Sequence, residues 1–108
     1  MKKMILTTTE HIDGKEYEIL GIAKGSTVQT THMVNDVLQS FKNLVGGELT
    51  SYNDMMNEAR AMATMRMKND AERMGADAIV CIRYASSAIM AGAAEVIAYG
   101  TAVRFKNQ

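Results

Sequence analysis

The stretch Ser51–Met74 constrains this 108-residue chain more than any other. At about 100° per residue, with Met55 at the origin, the side chains of Met62, Ala59, Tyr52, Ala63, Met56, Met74 and Met67 fall in one arc from about −20° to 120°. Of the methionines here, Met65 alone lies clearly outside, near 280° on the same wheel. A stripe this apolar must be covered, so the segment reads as an amphipathic helix lying on a second layer. Ser51 is the expected N-cap, with Asp54 three residues on, and Gly75 the expected C′ residue.

Six of the ten methionines sit in this one helix. A copper(I) thioether site needs sulfurs that converge, with a thiolate or imidazole beside them. Sulfurs strung along six turns do not converge. Methionine is also a strong helix former and a flexible filler of irregular interfaces, so these side chains read as core. Arg66 and Asp70 fall in the same arc, four residues apart and within pairing range. Charges on a buried face are expensive unless satisfied. They mark the rim of the core, a face covered by a second subunit, or a polar cavity.

Around this helix the periodicity is that of strands. Met4–Thr9 has strand composition and Asp13-Gly14 offers a tight turn. Tyr17–Thr31 is a longer strand, where Gly21 and Gly25 predict a bulge or a close backbone approach. Val34, Val37, Leu38, Phe41, Leu44 and Val45 recur at helical spacing up to Gly46-Gly47. Ala78–Ala85 is a mostly buried strand, Ser86–Ala93 (SSAIMAGA) a small-residue loop, and Glu95–Phe105 a final strand. The expected order is β-β-α-α-β-β in one domain spanning residues 1–108, with two helices on a mainly antiparallel sheet. In the last strand Glu95, Ile97, Tyr99, Thr101, Val103 and Phe105 share one face. Val96, Ala98, Gly100 and Ala102 share the other, whose small side chains invite a helix or a neighbouring chain.

Composition narrows the function classes. Twelve basic residues balance twelve acidic ones, so the basic field of a nucleic-acid binder is missing. The single cysteine excludes an intrachain disulfide framework or CxxC site. No apolar run suffices for a signal peptide or a membrane span, and the expected location is the cytoplasm, with no membrane partner. No nucleophile has a recognisable activating partner, Ser86-Ser87 lacks a GxSxG elbow, and GGEL is two glycines before a helix rather than a phosphate cradle. No catalytic residue is assigned, and a non-enzymatic role is expected.

Four motifs in fixed order point to a family. GGEL-x-x-Y (Gly46–Tyr52), EAR (Glu58–Arg60), GADAIV (Gly75–Val80) and AEVIAYGTAV (Ala94–Val103) resemble the YbjQ family, also called UPF0145. YEILGIAKG (Tyr17–Gly25) fits its early strand, so the resemblance spans essentially the whole chain. It implies a small α+β subunit assembling into a ring, typically a homopentamer. It also carries a heavy-metal-binding label without an established activity. The family often has basic residues after the early strand; here that part reads TVQTTHM, which argues against an anion-binding role for the loop.

Cys81 and His32 are the candidate metal ligands, with His11 as a further nitrogen donor and Glu48, Asp54 or Glu95 as oxygen donors. No two of the N/S donors share a ligand spacing such as CxxC or HxxxH. A heavy-metal ion is therefore conceivable as a cofactor only where ring symmetry repeats one ligand around an axis. Glu48, Tyr52, Arg60, Glu95 and Tyr99 are the candidate polar cluster, serving either a ligand or a hydrogen-bonded network at a subunit interface. The expected function is a ring-forming binding protein for a small ligand or soft metal at subunit boundaries. The alternative is a scaffolding homo-oligomer with no ligand.

Overall fold

The computed structural model describes residues 3–30 and 47–106. Their elements are β1 (Ile5–Leu6), β2 (Tyr17–Thr30), α1 (Gly47–Arg73), β3 (Ala78–Met90) and β4 (Ala93–Phe105). The four strands form one sheet in the order β1-β3-β4-β2. β1 runs parallel to β3, whereas β3–β4 and β2–β4 are antiparallel. The fold is α+β, and α1 is the one helix among the described residues. The helix expected over Val34–Val45 lies outside the described residues, as does His32.

α1 begins at Gly47, four residues before the expected N-cap. Ser51 instead lies inside the helix and is buried, because it opens a row spaced by four: Ser51, Met55, Ala59, Ala63, Met67 and Ala71. A row of that spacing is inclined by roughly 26° to the helix axis. The buried face therefore rotates along α1, and a wheel centred on Met55 describes only its first half. By the level of Arg66 and Asp70 the core has moved round towards Met67 and Ala71. The two charges stand at the rim, Arg66 exposed and Asp70 half-buried.

The methionines divide accordingly. Met55 and Met67 are fully buried, Met56, Met62 and Met74 half-buried, and Met65 exposed. Replacing Met65 by glutamine, which keeps helix propensity, is expected to change stability by less than about 0.5 kcal/mol in urea denaturation. Met67→Ala, by contrast, is expected to cost about 2–4 kcal/mol.

The helix stops where the sequence places its stop. Ala76 N–H donates to Ala71 C=O at 3.1 Å and Gly75 N–H to Glu72 C=O at 3.0 Å. That pair of bonds is a Schellman motif, and it requires the left-handed φ of +83° that Gly75 adopts. Asp77 follows at once and is buried; its Oδ2 accepts the Phe105 N–H at 2.8 Å while its own N–H donates to Val103 C=O at 2.8 Å.

α1 lies mainly over β2 and secondarily over β4. Its row of alanines meets Ala23 of β2 and Val96, Ala98 and Ala102 on the small face of β4. Contact is closest at Gly25, where an added Cβ would sit 2.5 Å from Ala63 O and 2.6 Å from Arg66 C. The bulge predicted near Gly21 is present, as a register shift between Ile19 and Gly21. On the opposite face of the sheet, Ala78, Val80, Val103 and Phe105 form a second buried cluster with Ile12, Tyr17 and Cys81 against it.

The expected loop Ser86–Ala93 is strand and turn instead. β3 continues to Met90, with Ser86 opposite Val96, Ser87 opposite Glu95 and Ala88 opposite Ala94. The chain reverses at Ala91-Gly92, and β4 starts at Ala93. Serine and alanine carry weak strand propensity, but strand formation here follows the partner strand rather than the residue. From Arg83 to Met90 every residue of β3 is exposed, so the β3 side of the hairpin is an uncovered arm, whereas Ala93, Ala94, Val96 and Ala98 of β4 are buried. The described residues measure 56 × 23 × 22 Å with a radius of gyration of 17.1 Å, against about 13 Å for a compact domain of about 100 residues.

Candidate functional site

Immediately beside the buried row of α1 runs a second row with the same spacing: Tyr52, Met56 and Arg60. With Thr50 and Asn53 these side chains line a cleft of about 550 Å³. The Arg60 guanidinium donates to Asn57 Oδ1 at 2.8 Å. One turn further, Thr64 Oγ1 donates to Arg60 C=O at 2.7 Å and lies 2.7 Å from the Tyr84 hydroxyl. β3 is thereby tied to the helix at the end of the cleft. Tyr52 and Asn53 belong to the second turn of α1 and Thr50 to the first, where the helix carries its partial positive charge. A guanidinium at the far side adds a full one, so the cleft suits a ligand with an anionic group and an apolar part against Met56.

The five residues of the candidate polar cluster divide between two surfaces. Tyr52 and Arg60 line the cleft. Glu95 and Tyr99 lie on the other face of the sheet, both exposed, because β4 turns its small residues towards α1. Glu48 lies within α1 and its side chain is outside the described part. On its own face Tyr99 stands between Lys24 of β2 and Arg83 of β3, and Glu95 between Val28 and Ser87. Thr50, Asn53 and Met56 were not among the candidates. For Met56 the signal was present as the row one residue beyond the buried one, and it could be read only once the core row was fixed; Thr50 and Asn53 lie off that row and carried no such signal.

The metal candidates were tested on their donors. Cys81 is half-buried beside the second cluster, at a bulge of β3 where its φ is +56°. Its N–H donates to Thr9 C=O at 3.1 Å. His11 is exposed on the loop after β1, 3.7 Å from Glu10. Among the described residues no three His, Cys, Asp or Glu side chains come together, and the sulfur lining the cleft is the neutral thioether of Met56. The described part of the chain does not fit a metal site. No helix among the described residues is long and apolar enough to cross a membrane.

The described residues thus form an α+β layer with a polar-rimmed cleft along its helix. The chain belongs to the YbjQ family, whose model, described as "Putative heavy-metal-binding", matches residues 4–106. A UPF0145 protein of Alkaliphilus metalliredigens is 63% identical over 102 residues, covering 94% of this chain and 99% of its own. One from Methanosarcina acetivorans is 52% identical over 106 residues, covering 97% and 100%. Among solved structures, a protein of unknown function of the DUF74 family from Pediococcus pentosaceus superposes with a TM-score of 0.62 at 16% identity. That match covers 95% of this chain and 98% of the other and supports the fold.

Proposed function

We propose that this protein is a cytoplasmic, ring-forming, non-enzymatic binding protein whose ligand occupies the cleft along α1 at a boundary between subunits. The cleft carries the reading: it joins one guanidinium and the first turn of a helix to the apolar side chain of Met56. The ligand class is a small molecule with an anionic group. A soft metal enters this reading only through a ligand repeated around the ring axis, since one subunit's described residues do not supply a donor set.

The second reading, a scaffolding ring without ligand, has its own support. The sheet face opposite α1 exposes Ile19, Ile22, Val28 and Tyr99, and the hairpin arm exposes Ile89 and Met90. Apolar surface of this kind on an elongated subunit is what a neighbouring copy would cover.

Native mass spectrometry of the purified protein, before and after zinc and copper(I), separates the readings. The binding reading expects a ring carrying an additional organic mass. In Arg60→Ala that mass is lost or its affinity falls at least tenfold, about 1.4 kcal/mol. One metal ion per ring would place a site on the axis, and one per chain a local site. A ring that carries no additional mass and ignores both metals overturns the binding reading in favour of scaffolding.

A further inference from the structure

Among the described residues β2 is a 14-residue edge strand. An edge of that length presents a row of backbone groups able to template another strand, and natural sheets guard such edges. In β2 the guard comes from the helix. Asp70 Oδ2 accepts the Lys24 N–H at 3.0 Å, and Arg66 Nη1 donates to the Ser26 C=O at 2.8 Å. Residues 24 and 26 have the same parity in the strand, so both groups point away from β4 and along the free edge.

The match has a geometric basis. Residues i and i+4 of a helix are about 6.0 Å apart along its axis, and two residues of a strand span about 6.7 Å. The Lys24 N–H and the Ser26 C=O stand one N-to-C step further apart than that repeat, about 9 Å. The long Arg66 side chain covers the difference, so a helix running antiparallel along an edge strand can offer it one acceptor and one donor. α1 does run this way: Met67 lies at Gly25 and Met74 at Gly21. Gly25 lets the helix come close enough for both side chains to fold over the edge. Asp70 is held further by Arg73 at 3.4 Å.

We propose that Asp70 and Arg66 act as a surrogate strand, closing the middle of the β2 edge so that the sheet cannot grow there by pairing with a second copy of the chain. This inference is independent of the ligand reading. It also assigns a role to two charges that sit beside an apolar helix face.

Amide hydrogen exchange with sedimentation analysis of the full chain tests it. The variants are Asp70→Ala and the double variant Asp70→Ala/Arg66→Gln; alanine and glutamine are good helix formers, so α1 is retained. Lys24 N–H is expected to exchange more than tenfold faster in Asp70→Ala, while the Gly25 amide changes little. Asp70→Asn, which keeps an acceptor oxygen, is expected to restore the slow rate. The double variant is expected to form larger, concentration-dependent species in which the Ser26 and Val28 amides gain protection. Unchanged exchange at Lys24, an unchanged sedimentation profile, or new species protected elsewhere than β2 would each overturn the proposal. If the double variant fails to fold, the exchange rates of the two Asp70 variants decide it alone.

Discussion

Replacing Gly25 by alanine is expected to lower stability by more than about 3 kcal/mol, the upper end of what overpacking normally costs. The reason is the nature of the neighbours. The new Cβ would stand 2.5 Å from Ala63 O and 2.6 Å from Arg66 C, with Met67 N closer still. All three are helix backbone, so no side chain can rotate away, and α1 must lift off β2. Lifting it would also open the alanine-lined contact and pull Arg66 and Asp70 from the strand edge. Urea denaturation at fixed protein concentration gives the check, as a fall in midpoint. A midpoint within experimental error of the parent would mean that the helix does not lie this close to β2. A reciprocal result is expected at Ala63: Ala63→Leu would be as damaging, because that position has no room either.

Removal of the Asp77 carboxylate is the second large effect. Asp77→Ala leaves the Phe105 N–H without its acceptor, a bond of 2.8 Å at a buried residue. An unsatisfied buried donor costs about 1–3 kcal/mol, and the hydrogen bond to a carboxylate is itself among the stronger kinds. A total loss of about 3 kcal/mol is expected. Asp77→Asn retains an acceptor oxygen and should lose less than half of that. The ordering of the two variants is the diagnostic. Equal losses would show that charge, not the bond to Phe105, is what this position supplies.

Asp77 also explains why GADAIV is more than a buried strand with a polar interruption. Gly75 ends the helix, Ala76 completes the Schellman bonds, and Asp77 fastens the start of β3 to the end of β4. Three consecutive residues thus set the angle at which helix and sheet meet. The same angle decides which helix row is buried and hence where the cleft opens.

How far the site was legible depends on the residue. Alternation alone put Glu95 and Tyr99 on the face of β4 opposite Ala98 and Gly100, and the small face was the one open to a helix. Those two facts already separate Glu95 and Tyr99 from any side chain on the helix flank, such as Tyr52 and Arg60, within one subunit. The cleft row was harder to see. Helical spacing groups Tyr52 and Met56 with the core stripe, and only the inclination of the buried row shows that they flank it. The arm Ser86–Met90 was illegible for another reason: apart from Ile89 its residues have little strand preference of their own, and its pairing is written in β4.

The sequence by itself determined the elements whose causes are local. The 3.6-residue stripe made Ser51–Met74 helical, Gly75 ended it, Asp13-Gly14 turned the chain, and strand alternation fixed the faces of β4. Each of these depends on interactions within a few residues, so a linear reading reaches them. Tertiary structure decided the rest. Asp70 meets Lys24 across 46 positions and Arg66 meets Ser26 across 40, and neither partner can be found from spacing along the chain. The Arg66 and Asp70 charges could be placed at a rim, an interface or a cavity until the sheet order put an open strand edge beneath them. Periodicity says which side of an element is buried on average; only the crossing of helix over sheet says what each side chain finds when it gets there.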